Sequence, residues 1–233
     1  MRTKSLRLFI SGLAIIAGTS FMTCGQSRAK NTGDMQTRRN TEQNTIQIFN
    51  GKDLSNWTFY LRDPSVDPSG VFTVREGVIH IKGDPFGYMR TRDTYSEYKF
   101  QLEYRWPKEA TNSGVFIHAI PPDTIWIKTF ECQLAAGKAG DLICMNGALM
   151  NEKKDNSIVI TKMAPSSEKP VGEWNTMEIT CRSNTIEVSV NGVLQNKGTG
   201  LSASGGHICL QSEGKEIEFR NLILTKLTQI PRR

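Results

Sequence analysis

Tyr98-Lys99-Phe100-Gln101-Leu102-Glu103-Tyr104 alternates apolar and polar residues without a break. In an extended chain successive side chains leave opposite faces, so Tyr98, Phe100, Leu102 and Tyr104 share one face while Lys99, Gln101 and Glu103 share the other. The stretch predicts a strand with one face on a core and the other in water. Similar short runs lie on both sides of it, at residues 71–74, 78–81, 115–120, 125–134, 157–162, 177–181, 185–190, 207–211 and 217–224, separated by turn dipeptides such as Glu76-Gly77 and Asn191-Gly192. No window of about 12 residues carries an apolar stripe at helical spacing. With no helix to cover it, the apolar face of one sheet must be covered by another sheet, which predicts an all-β sandwich of two antiparallel sheets or a barrel. Phe100, Leu102, Val115, Ile117, Val188 and Phe219 are the expected core. Residues 137–155, rich in Gly, Asn, Lys and Asp, read as one long loop, either a lid or a plain surface excursion.

The first 23 residues read as an export signal, with Arg2, Lys4 and Arg7 ahead of an apolar run too short to span a bilayer comfortably. Cys24 follows directly and is the expected point of lipid attachment. The residues before it, Phe21-Met22-Thr23, depart from the usual lipoprotein box, and without acylation the same leader serves ordinary secretion. The expected location is the periplasm or outer membrane, with membrane contact through the lipid alone. Residues 24–45 are polar and basic, with too little apolar surface to fold, and are expected to form a disordered tether. The folded domain is expected over 46–227 and a short tail over 228–233. Of the 29 basic and 23 acidic residues, seven and one fall within the first 40 positions, which leaves 22 of each for the rest. The basic character thus belongs to the leader and tether, and a neutral domain argues against nucleic acid as a partner.

Cys132, Cys144, Cys181 and Cys209 lack the close pairing that marks a zinc site. An exported protein can join such cysteines as disulfides. Equally, a domain of this size does not need staples, and four buried thiols behaving as small apolar residues is the other reading.

Glu131 and Gln133 sit two apart in Phe130-Glu131-Cys132-Gln133-Leu134, so both leave one face while the three core-type residues leave the other. Polar groups flanked in this way point either into a groove or into solvent. Trp126 and Lys128 share a face in a regular strand, and a bulge is needed to bring them into one site with Glu131. His118, one of three histidines, has no second histidine at metal-ligand spacing. A divalent cation held by Glu131, Asp141 and His118 is the one metal set considered. Trp174, in Glu173-Trp174-Asn175, is expected in the core, with Asn175 closing a turn. Ser113 has neither a Gly-x-Ser-x-Gly setting nor partners for a triad, and no phosphate-cradling loop or dinucleotide fingerprint is present.

Four blocks occur in order: Phe49-Asn50-Gly51-Lys52-Asp53-Leu54-Ser55-Asn56-Trp57, Asn112-Ser113-Gly114, Pro170-Val171-Gly172-Glu173-Trp174-Asn175, and Gly206 to Gly214 followed by Ile217 to Leu224. Together they resemble the 3-keto-disaccharide hydrolase family over about residues 46 to 227. The resemblance implies a concanavalin-like jelly roll with the Glu131-x-Gln133 pair on its concave sheet. It further implies a carbohydrate substrate whose C3 hydroxyl has been oxidised to a ketone, and hence a sugar 3-oxidising oxidoreductase acting upstream. On this reading Glu131 and His118 are the candidate bases and Glu213 a further catalytic carboxylate. Gln133, Lys128, Trp126, Gln211 and Arg220 are candidate substrate-binding residues, and Arg220, Lys128 or a divalent cation would stabilise an oxyanion. Many relatives close with Gln-x-His-Gly, where this chain has Gln211-Ser212-Glu213-Gly214, a carboxylate in place of an imidazole. The competing implication is a lectin-like module that binds sugar without chemistry, since jelly rolls serve both.

Overall fold

The computed structural model describes residues 44–228. Export, lipidation at Cys24, most of the tether and the tail fall outside the described residues. The folded chain begins slightly earlier than expected, because Thr45–Gln47 already pairs as strand β1. The strands that follow are β2 (Trp57–Leu61), β3 (Phe72–Arg75), β4 (Val78–Ile81), β5 (Gly87–Thr91), β6 (Tyr98–Arg105), β7 (Gly114–Ile120), β8 (Lys128–Gln133), β9 (Leu142–Met145), β10 (Val159–Ile160), β11 (Asn175–Arg182), β12 (Thr185–Val190), β13 (Val193–Thr199), β14 (His207–Ser212) and β15 (Ile217–Lys226). One 3-10 turn, Pro68–Gly70, is the only helical element among the described residues.

The strands form two antiparallel sheets. An eight-stranded sheet runs β13-β12-β11-β6-β15-β4-β3 with β1 also on β15, and a seven-stranded sheet runs β10-β9-β8-β7-β14-β5-β2. The alternation of Tyr98 to Tyr104 is real, since buried and half-buried residues alternate without exception along β6. Between the sheets lies one core to which both contribute, including Phe100, Leu102, Val188 and Phe219 from the first and Val115, Ile117, Phe130 and Leu210 from the second. All six expected core residues are in it. Each large apolar side chain so buried contributes about 1.5–3 kcal/mol, which accounts for the sandwich closing without a helical layer.

The outer face of the seven-stranded sheet is not a plain solvent face. Phe116 lies between the core residues Val115 and Ile117, and Cys209 between Ile208 and Leu210, so both must leave the opposite side. There they join Tyr88, Ala119, Ile127 and Met145 in a second apolar cluster, with Tyr60 and Ile143 packed on its margin. Residues 137–155 are not one loop, because β9 lies within them and carries Ile143 and Met145 onto this face. All four described cysteines are buried and free.

Candidate active site

Glu131 projects from the outer face of the seven-stranded sheet into a cleft of about 370 Å³, together with Asn112, Trp126, Gln133, Ile143, Met145, Asn146, Ile158, Gln211 and Glu213. This is the size of a small-molecule site. Glu131 is 4 % exposed, and its Oε1 has no hydrogen-bond partner among the described residues. Burial, and next the negative charge of Glu213, pushes its pKa up to about 8. At neutral pH Glu131 therefore holds a proton. Glu213 is half-buried, and burial raises its pKa as well, opposed by the Asn112 side chain, the Arg62 charge and the Gln211 side chain. The two carboxyls share the cleft in unequal surroundings, and the deeper one keeps the proton.

The neighbouring residues explain how such a group fits. Gly114 pairs with Gln133 across β7 and β8. A Cβ at position 114 would lie 2.2 Å from Glu131 Oε1, so the glycine reserves the space that the carboxyl fills. Beside it, the Ser113 hydroxyl donates to the Gln211 carbonyl at 2.9 Å and ties β7 to β14. The Asn112-Ser113-Gly114 block is thus architecture for the carboxylate. The Gln133 Oε1 accepts from the backbone N–H groups of Leu134 and Ala135 at 2.7 and 2.8 Å, which fixes its amide and leaves the amide N–H groups free for a ligand. Gln211 is buried, with its own Oε1 unpartnered among the described residues.

Trp126 reaches this cleft by a route the sequence does not indicate. Residues 125–127 are not part of β8, which begins at Lys128, and Trp126 stands in a turn, 47 % exposed, with its ring edge-on to Phe86 at 4.9 Å. No strand bulge at Trp126 is required. The turn is anchored by Asp123, which receives Arg90 Nε and Nη2, both at 2.9 Å, and the Tyr88 hydroxyl at 3.1 Å. Arg90, Tyr88 and Asp123 were missed in the sequence because Gly87–Thr91 is almost wholly buried and shows no polar-apolar period.

Three expected site residues are elsewhere. His118 has φ 51°, at an irregularity in the β7–β8 pairing between Ile117 and Ile120. The bulge reverses the alternation and turns the ring inward, edge-on to Tyr98 and Phe130, both in the core between the sheets. Its Nδ1 donates to the Ala203 carbonyl at 3.0 Å, and burial holds its pKa below the usual histidine range. It is a neutral structural group, not a base in the cleft. Lys128 alternates with Glu131, shares the Phe130 face and does not line the cleft. Arg220 belongs to the other sheet, where its Nε donates to Glu103 at 2.5 Å and its guanidinium lies 4.0 Å over the Trp174 ring. Trp174 itself is half-buried on that outer face rather than in the core, with Arg105 also stacked on it at 4.6 Å.

The metal set Glu131, Asp141 and His118 is not assembled. His118 faces the core, and Asp141 Oδ1 accepts the Lys162 backbone N–H at 2.8 Å outside the cleft lining. Among the described residues, the group of three that could hold an ion is His80, Glu216 and Glu218, on the eight-stranded sheet side. Their carboxylates are already engaged, Glu218 by Arg105 and His80, and Glu216 by Arg75 at 3.5 Å. Neither arrangement supplies a metal to the Glu131 cleft.

The two-sheet jelly roll is a fold shared by solved glycosidases and carbohydrate-binding modules. Solved structures of this shape include two candidate glycosyl hydrolases from Parabacteroides distasonis. One has TM-score 0.60 at 19% identity, covering 82% of this chain and 97% of that one, and the other has TM-score 0.58 at 23% identity, covering 78% and 99%. The carbohydrate-binding module CBM66 from Bacillus subtilis has TM-score 0.55 at 8% identity, covering 75% and 98%. These likenesses establish the fold. A search of the curated proteins found no match. The family model of the 3-keto-alpha-glucoside-1,2-lyase-like domain matches residues 44–225, and the chain belongs to that family.

Proposed function

We propose that the protein cleaves glycosides carrying a ketone at C3 of the sugar, by elimination across C1 and C2, with water adding back afterwards. The observation that carries this reading is the buried, unpaired Glu131 beside Glu213 in a cleft open to a small molecule. A C3 ketone acidifies the C2 hydrogen, so the protein needs one base, one acid and donors for the enolate oxygen. Glu213, the more exposed of the two carboxyls, takes the C2 proton. The C–H electron pair becomes the C1–C2 double bond, the glycosidic oxygen leaves with its bonding pair, and protonated Glu131 supplies the proton it needs. The Gln133 amide N–H groups are the donors at hand for the ketone oxygen, while the Asn112 and Gln211 side chains hydrogen-bond Glu213 and hold the base in place. Adding water across the double bond, with oxygen to C1 and hydrogen to C2, completes a hydrolysis. Sequence reading gave Glu131 the part of base, whereas its burial beside a second carboxylate suits it to the acid.

The family description, a 1,2-lyase-like domain for 3-keto-glucosides, supports the substrate and the bond broken. A sugar-binding module is the competing reading, and the rim Trp126 suits either. A buried carboxyl with a displaced pKa, set beside a second carboxylate in the cleft, favours chemistry over binding alone. The leader supports export with lipid on Cys24, and the substrate calls for an oxidoreductase that acts at C3.

The test is incubation of the protein with a 3-keto-glucoside and with its unoxidised parent, following aglycone release and exchange of the C2 hydrogen in deuterated water. Release and exchange from the oxidised compound alone is the expected result. Binding of both compounds with neither release nor exchange would make the protein a module.

A further inference from the structure

The two halves of the cleft differ in chemistry. Asn112, Glu131, Gln133, Gln211 and Glu213 form a polar half carried by β8, by β14 and the turn after it, and by the segment leading into β7. Ile143, Met145 and Ile158, with Asn146 as the one polar side chain, form an apolar half on the β9–β10 side, and Trp126 faces it across the cleft from the β14–β5 side, where its ring packs on Phe86. Trp126 is 47 % and Ile158 53 % exposed, and Val159 beside Ile158 is exposed as well. Large apolar side chains left in water on a cleft wall mark a surface that something apolar covers. Nothing in the fold requires them there, since the sandwich core is closed without them.

We infer that this apolar half receives the leaving group of the substrate, and that the leaving group is an apolar, preferably aromatic, aglycone rather than a second sugar. The inference rests on the proposed function, which assigns the polar half to the keto sugar. A pyranose is ringed by hydroxyls, and each one buried against Ile143, Met145 or Ile158 without a partner is costly. Asn146 can satisfy few of them. A flat aromatic group instead finds the face or edge of Trp126 on one side and branched aliphatic side chains on the other. The Arg90–Asp123 clamp holds the turn that carries Trp126, so this wall is present before substrate arrives.

Because an aryl oxide leaves more readily than a sugar alkoxide, the decisive comparison uses an alkyl leaving group that departs no more readily than a sugar does. The full chain is assayed with the 3-keto derivatives of 2-phenylethyl glucoside and of a glucosyl-glucose disaccharide, each in both anomeric forms. A kcat/KM at least about tenfold higher for the phenylethyl compound is expected, the scale of removing one aromatic ring from water, and carried mainly by KM. Ile158→Asn, a change at an exposed position, collapses that ratio toward one, and Ile158→Leu retains it. Trp126→Phe retains most of the preference and Trp126→Ala loses it. Equal or higher kcat/KM for the disaccharide overturns the aglycone assignment and leaves the keto-sugar reading standing. No release from either 3-keto compound overturns both.

Discussion

Glu131 and Glu218 are both strand carboxylates buried to nearly the same degree, 4 % and 5 % exposed, one on the outer side of each sheet. Their surroundings differ in every other respect. Glu218 receives Arg105, its Oε1 lies 3.1 Å from His80 Nδ1, and around it Arg75, Lys108, Glu216 and the Arg220–Glu103 pair form a mutually neutralised surface. Glu131 has a second carboxylate nearby, no cation paired with it among the described residues, and an acceptor oxygen left open. Burial alone therefore does not mark a site. The lattice of ion pairs on one sheet holds its charge in fixed use, whereas the cleft on the other keeps a proton in a place where a ligand can take it.

Glu131→Gln is the largest test of that contrast. Turnover on a 3-keto-glucoside should fall roughly 10²-fold or more, the scale of losing a positioned acid or base. The melting temperature at pH 8 should hold or rise, because no ion pair is lost and a carboxyl held against ionisation is replaced by a neutral amide. A variant with near-normal turnover would remove Glu131 from the chemistry.

Gly114→Ala comes next. The new Cβ falls 2.2 Å from Oε1 and 2.8 Å from Cδ of Glu131, so the carboxyl must move or the strands must part. A loss of about 1–3 kcal/mol in chemical denaturation is expected, as for other overpacked sites. Activity should drop further than that stability loss explains.

The third test is the pH dependence of stability. The carboxyl of Glu131 titrates near 4.5 when unfolded and at about 8 when folded. Below the first value both states are protonated and nothing changes. Between the two the unfolded chain releases a proton that the folded chain keeps, so stability falls as pH rises, by up to about 1.4 kcal/mol per pH unit. Above about 8 the decline from this group ends. Glu213, raised in the same direction, adds to the slope. Denaturation midpoints measured from pH 5 to 8 should show the decline in the parent protein and a flatter line in Glu131→Gln.

Arg220→Ala should have the smallest effect. It removes one partly exposed pair with Glu103 and one stacking contact on Trp174, together worth about 1 kcal/mol or less in a denaturant melt. kcat/KM should be unchanged, and a large loss would reopen the question of where the substrate lies.

The eight-stranded sheet was the more legible of the two. Its strands put one face on the core and one in water, so β6, β11 and β12 alternate cleanly and the sequence carries their period. The seven-stranded sheet buries both faces over much of its width. β14 is buried at every position and β5 at all but one, which removes the polar half of the pattern and hides β5 altogether. Glu131 and Gln133 were recoverable because they alternate with the core residues Phe130, Cys132 and Leu134. His118 was not, since a single bulge reverses the face of the residue and periodicity has no way to register it. Trp126 was assigned to a strand because Ile125, Trp126 and Ile127 are all β-formers, and the turn that exposes Trp126 depends on Asp123 meeting Arg90, 33 residues earlier. Arg220 was credited to the cleft because it follows Glu213 closely in sequence, although β14 and β15 belong to different sheets.

The four free, buried cysteines have a bearing on what the domain needs in order to mature. Burial raises the pKa of all four thiols, which keeps them in the unreactive form. A fold that leaves its thiols reduced and enclosed asks nothing of oxidases or isomerases. Among the described residues the native sandwich holds no disulfide for a reductant to break.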